Sequence, residues 1–279
     1  MTGPKDLDPA SRRIMVGEEL RHARERAGLT QQTLGELLFV SGSYVGQMEA
    51  GTRRVLPDMA ERLDEALGTA GFFVRHGVKA NESKHPEHFA EAAEAEAVAT
   101  AIREYTTLLI PGLLQTKVYA EAVCRAYQPT ATVEAINALV APRLERAHLL
   151  DDPTNPLLWA VLDEAALRRQ VGGSAVMAEV LHHIADLARK HRIIVQVLPY
   201  DAGAHASMGG SLKLMEFDDA PPLAFIEGPG MGWLLDDPAT VARHALSFNL
   251  LQAAALSPKE SLALVESVAQ DYEHEEEHP

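Results

Sequence analysis

The stretch LTQQTLGELLFVS, residues 29–41, runs directly into GSYVGQMEAGTRR, and together they restrict the fold more than any other part of the chain. Thr30 is placed to cap a helix with Gln31 and Gln32 in its first turn. Leu34, Leu37 and Leu38 form the expected buried side of that helix. Phe39-Val40-Ser41 is a short break, and Ser41 can cap a further helix. There Val45 and Met48, three apart, face a core, while Ser43, Tyr44 and Gln47 fall on the other side. Two short helices joined by a three-residue turn, the second with a polar outer face, describe a helix-turn-helix.

The flanks extend this pair into a small helical domain. Ile14, Leu20, Ala23, Ala27 and Leu29 mark an apolar stripe at helical spacing upstream, with Gly28 as a stop. Gly51 closes the capped helix, and Pro57 sits at the first position of a fourth one, where a missing N–H does no harm. The spacing predicts an all-α N-terminal domain of four to five helices over residues 12–74.

Charge separates this head from the rest. The chain of 279 residues suits two domains and carries a net charge of −15. Residues 1–80 hold 11 Lys and Arg against 11 Asp and Glu, whereas residues 81–279 hold 14 against 29. An acidic body repels phosphate, so any contact with DNA is expected from the neutral head. A single cysteine, Cys124, excludes an internal disulfide and a thiolate zinc site. The N-terminus MTGPKDLDPASRR has no apolar core of a signal peptide, and no apolar run reaches the ~18 residues of a membrane span. A soluble, cytoplasmic protein with no membrane contact is expected.

Past the head, residues 75–87 are polar and aperiodic, and read as a linker. EHFAEAAEAEAVATAIREYTTLL has strong helix formers throughout and predicts one long helix, with Glu91, Glu94 and Glu96 on a solvated face. Residues 131–150 predict another helix, bent or broken at Pro142. LLWAVL at 157–162 and IIVQVLP at 193–199 read as buried strands, and SLKLMEF with LAFIEG as a hairpin. PGMG before Trp233 reads as a turn, and helices are expected near 239–255 and from Pro258, capped by Ser257. The expected body is a larger α+β domain with a small sheet over residues 88–270. Residues 271–279, DYEHEEEHP, read as a disordered acidic tail.

LTQQTLGELLFVSGSYVGQMEAGTRR resembles the DNA-binding domain of lambda-repressor-like, Xre-type regulators. Leu29, Thr30, Gln31, Leu34, Leu37, Val40, Ser41, Val45, Met48, Glu49 and Gly51 carry the likeness, in order. The resemblance implies a recognition helix at 41–50 in the major groove, with Gly42, Ser43, Tyr44 and Gln47 facing DNA. It further implies that Gln31 bonds a phosphate and that Arg53 and Arg54 contact the backbone. Gly42 departs from the long polar side chain frequent there, which shifts the weight of readout to Tyr44 and Gln47. Glu49, acidic on such a helix, is expected to be structural and paired with Arg24. PGLLQT with Tyr119, EAALRRQVGG, IIVQVLP and the run from His205 to FIEG resemble the C-terminal domain of actinobacterial Xre-type regulators described as antitoxin-like. That likeness implies a small cognate protein as partner.

Catalytic readings of the body are weak. Adjacent His182 and His183 point about 100° apart on a helix and do not converge easily on one ion. His205 with Asp201 or Ser207 reads as a loop cluster, and HExxH, GxxxxGK and GxSxG are all absent from the sequence. No enzyme, metal or cofactor is expected. The expected function is that of a sequence-specific DNA-binding transcriptional regulator that binds double-stranded DNA as a homodimer. Its C-terminal domain would bind a small partner protein; the alternative is a one-component repressor whose C-terminal domain senses a small molecule.

Overall fold

The computed structural model describes residues 9–77, 87–152, 156–228 and 230–277. By contact the chain divides into two compact units. One comprises Met1–Ala99, Met215–Phe225 and Gly230–Ala242; the other comprises Thr100–Leu214, Ile226–Pro229 and Arg243–Pro279. Most of the predicted linker, residues 78–86, lies outside the described residues.

The first unit opens with five helices: α1 (Pro9–Arg26), α2 (Gln31–Leu38), α3 (Gly42–Glu49), α4 (Pro57–Leu67) and α5 (Phe72–His76). Their core is Val16, Leu20, Ala23, Leu34, Leu38, Val45, Met48, Val55, Met59, Ala60, Leu63 and Phe73. Leu37, expected inside, is exposed, because α2 turns Leu34, Gly35 and Leu38 inward. Gly17 lets α1 cross the end of α3 at backbone distance. A Cβ there would sit 2.4 Å from the Glu49 carbonyl oxygen and 2.6 Å from that of Met48. Asp64 ties α4 to α5 by accepting from the backbone N–H of Phe73 (3.1 Å) and of Val74 (2.9 Å). The same unit contains α6 (Glu87–Glu96) and the strand β6 (Met231–Leu235).

Six strands are hydrogen-bonded in the order β3-β2-β1-β4-β5-β6. They are β1 (Ala101–Thr106), β2 (Leu157–Asp163), β3 (Ile193–Leu198), β4 (Ser211–Glu216), β5 (Leu223–Gly228) and β6. β1 pairs parallel with β2, from Ala101 opposite Leu157 to Thr106 opposite Leu162, and β2 pairs parallel with β3. Parallel neighbours need long crossovers. These are supplied by α7 (Lys117–Tyr127) and α8 (Val133–Ala147), then by α9 (Glu164–Arg168) and α10 (Ser174–Arg189). The chain ends in α11 (Pro238–Ala254) and α12 (Pro258–Glu277), the latter packed on α10 and β3. Ser257 caps α12 reciprocally with Glu260, its hydroxyl accepting from the Glu260 N–H and the carboxylate accepting from the Ser257 N–H.

The body is therefore α+β, with several differences from expectation. The single long helix after residue 87 is α6 followed by β1, since Ile102 and Tyr105 are fully buried in the sheet and pairing with β2 overrides helical preference. β6 replaces a turn. Pro142 lies inside α8 without ending it. The tail is helical through Glu277. Tyr272 is buried with its hydroxyl donating to the Leu167 carbonyl (3.3 Å), and Glu273 and Glu275 meet His182 and Ser174. Among the described residues no helix is long and apolar enough to cross a membrane.

Candidate nucleic-acid interface

The helix pair is built as its capping residues dictate. The Thr30 hydroxyl accepts from the Thr33 N–H at 3.0 Å, and the Ser41 hydroxyl accepts from the Tyr44 N–H at 3.0 Å. Between them the chain turns at Phe39, whose φ of 60° is left-handed. A non-glycine residue there costs roughly 1–2 kcal/mol, and Phe39 is 88% exposed, so its side chain offers little packing to offset it. Gly42 begins α3 where a Cβ would come within 3.0 Å of the Gln32 Cα. That crowding accounts for the glycine where a long side chain was the expected pattern.

Glu49 is structural, as expected. Its carboxylate is fully buried and accepts from Arg24 through Nε (2.5 Å) and Nη2 (3.0 Å). The bond to Glu49 outweighs burial and raises the Arg24 pKa. Gln31 donates its amide to the same carboxylate at 2.9 Å. One N–H of the Gln31 amide, the side chain expected on a phosphate, is thus used inside the domain, bracing α2 against α3.

The outer face of α3 carries Ser43 and Tyr44, both half-buried, beside Arg53 and Arg54 from the loop that follows. The Arg53 guanidinium lies 4.0 Å from the centre of the Tyr44 ring, a cation–π contact. Gln47 differs from expectation. It is fully buried, its Oε1 lies 3.5 Å from Arg53, and its Nε2 has no hydrogen-bond partner among the described residues. In this conformation Gln47 is not open to a base.

Carboxylates from elsewhere in the same unit meet these residues. Asp236, just after β6, lies 2.9 Å from Arg53 Nη1, and its backbone carbonyl accepts from the Ser43 hydroxyl at 3.3 Å. Glu94 of α6 accepts from Arg54 in a bidentate pair at 2.8 and 2.7 Å, and lies 2.9 Å from Arg13 Nη1. Burial raises the Tyr44 pKa; Arg53 opposes that, while Glu91 and Asp236 add to it. Glu94 and Glu96 were expected on a solvated face, but both are buried. Neither the role of Arg13 nor that of Asp236 was legible, because both depend on segments brought together from across the chain. The one available signal was the acidic run in an otherwise Ala-rich helix.

In the second unit the His205 loop forms a hydrogen-bonded cluster. The Tyr105 hydroxyl donates to Asp163 at 3.0 Å and lies 3.3 Å from His205 Nε2, while His205 Nδ1 accepts from the Ser207 N–H. Asp163 also caps α9 through the Ala165 N–H. Burial, then the Asp163 charge, raises the Tyr105 pKa strongly, so the phenol stays protonated as a donor. Asp201, the partner weighed for His205, is exposed on a separate turn. His182 bonds Glu273, and burial lowers the pKa of its neighbour His183. Among the described residues no three His, Cys, Asp or Glu side chains converge as a metal site would require.

Residues 16–71 match a helix-turn-helix domain. Residues 89–267 match a family described as a domain of unknown function (DUF5753). No curated protein and no solved structure matches the chain.

Proposed function

The chain belongs to the DUF5753 family and carries a helix-turn-helix domain of the kind that marks a DNA-binding regulator, and from that premise we propose that it is a sequence-specific, Xre-type transcriptional regulator. The observation that carries the reading is the braced helix pair. Two side-chain caps and the Arg24–Glu49–Gln31 network hold α3 rigidly against α2, with Ser43 and Tyr44 on its outer face and two arginines beside it. A rigid helix of this kind presents hydroxyls to base edges and guanidinium groups to flanking phosphates. Ser43 and Tyr44 are the base readers in this reading, and Arg53 and Arg54 the phosphate contacts.

One recognition helix spans few base pairs, so two chains on two half-sites are the economical route to specificity. The family domain binds a small partner protein, as in antitoxin-like systems, and performs no chemistry of its own. The support for that part is the antitoxin-like resemblance of its motifs and the acidic balance of residues 81–279, which suits a basic partner.

Fluorescence anisotropy with duplex from the region upstream of its own coding sequence, against a scrambled duplex at two salt concentrations, tests the reading. Preference for the first duplex that persists at higher salt is expected. Equal binding to both, lost together as salt rises, would leave only charge attraction and remove the claim of sequence specificity.

A further inference from the structure

The arginines best placed to touch DNA are already engaged by carboxylates, and we infer that α6 and the segment after β6 form an autoinhibitory mask over the recognition face. The inference rests on the DNA-binding reading above. Asp236 supplies a carboxylate to Arg53 and a backbone carbonyl to Ser43, while Glu94 takes Arg54 in a bidentate pair. A carboxylate and a phosphate oxygen are interchangeable partners for a guanidinium, since both accept two parallel N–H bonds. Each arginine proposed for the DNA backbone thus holds a protein anion where a phosphate would sit.

The placement of the mask is specific. Asp236 follows β6 directly, and Asp237 beside it caps α11 by accepting from the Thr240 N–H at 2.8 Å, so the carboxylate is held between two ordered elements. Glu94 is shared with Arg13 on α1, which anchors α6 to the helix-turn-helix domain itself. Gln47, a helix turn beyond Ser43, is sealed with an amide nitrogen that has no hydrogen-bond partner among the described residues. That is a poor arrangement for a permanent core and a natural one for a surface that opens. DNA binding then requires an exchange: Arg53 and Arg54 leave Asp236 and Glu94 for duplex phosphates, and Ser43 leaves the Asp236 carbonyl. The observed affinity is the intrinsic one reduced by the fraction of chains in the open state.

The test uses the full chain and a short duplex of random sequence at low salt, so that no operator need be known. Asp236→Asn keeps the shape and the backbone carbonyl but removes the charge on Arg53. It is expected to tighten binding roughly tenfold, as release of a mostly closed population does. It is also expected to steepen the dependence of log K on log salt by about one for the cation released. Glu179→Gln, an exposed site on α10, controls for the change in net charge. Glu94→Gln should act in the same direction on Arg54; since Glu94 is buried, its fold is checked by circular dichroism and Asp236→Asn carries the test if it fails. Asp236→Asn binding no tighter than Glu179→Gln, with wild type binding duplex, overturns the mask and leaves the DNA-binding reading intact. If neither wild type nor any folded variant binds duplex, the DNA-binding reading falls and the mask with it.

Discussion

Buried charge serves different ends in the two units. In the second, Lys213 meets Glu104 at 3.4 Å between neighbouring strands, and Tyr105 donates to an Asp163 that also caps a helix. These groups close a sheet and a loop, and the partners named here belong to the same unit. In the first unit the Arg24–Glu49 pair does similar work, but Arg53 and Arg54 are held by acids on α6 and after β6. Charges of the first kind hold the fold together. On the mask proposed above, those of the second kind are exchanged for an external anion of like geometry, and that difference separates scaffold from proposed interface.

Glu49→Ala should show the largest effect. It takes the buried carboxylate from Arg24, leaving the Leu29 carbonyl and Glu25 as its partners, and from the Gln31 amide, and loss of one member of a buried pair costs roughly 3–5 kcal/mol. Urea denaturation followed by circular dichroism is expected to show the loss; a change under about 1 kcal/mol would place the pair in the solvent-screened class instead. Gly17→Val strikes the same junction sterically, with its Cβ driven against two carbonyl oxygens of α3. Overpacking of this sort costs about 1–3 kcal/mol, and a tolerated valine would mean that α1 shifts freely relative to α3.

Tyr105→Phe removes one hydroxyl from the scaffold cluster and should cost about 1 kcal/mol in stability without altering duplex binding in the anisotropy assay. A change in DNA affinity would break the division between the two uses of charge. Phe39→Gly should go the other way, raising stability by about 1 kcal/mol through relief of the left-handed backbone. An equal or lower melting temperature would show that the exposed ring has a stabilising contact.

The smallest expected effect is on pH. Burial pushes Asp64 up, but bonds from the Thr69 hydroxyl and from the Val74 and Phe73 N–H groups more than offset it and hold the carboxyl below its ordinary value. Its contribution is therefore complete above the unfolded value near ~4 and is lost as pH falls through the lower folded value. Asp64→Asn should flatten this part of the acid limb of a stability profile; an unchanged limb would assign acid sensitivity to other carboxylates.

The helix pair was legible because its signals are local. Thr30 and Ser41 cap within three residues, and Val45 and Met48 repeat with the helix, so neither depends on distant chain. The strands β2 and β3 were legible for the same reason, as continuous apolar runs. β1 was not, since AIREYT has helix formers that only pairing with β2 and the Glu104–Lys213 contact make acceptable in a sheet. Leu37 and Gln47 illustrate the limit of periodicity, which assigns a side but not what lies against it.

By itself, then, the sequence determined a capped helix-turn-helix, the Arg24–Glu49 brace, an α+β body and a neutral head on an acidic chain, because caps, spacing and charge act over a few residues or over the whole sum. Only the tertiary structure decided that Gln47 is covered, that α6 is anchored through Glu94, and that Asp236 stands on Arg53. Residues 53 and 236 are far apart in the chain, and no local propensity encodes their meeting. It arises where the end of β6, and with it a carboxylate, meets the residues around α3 within the same compact unit.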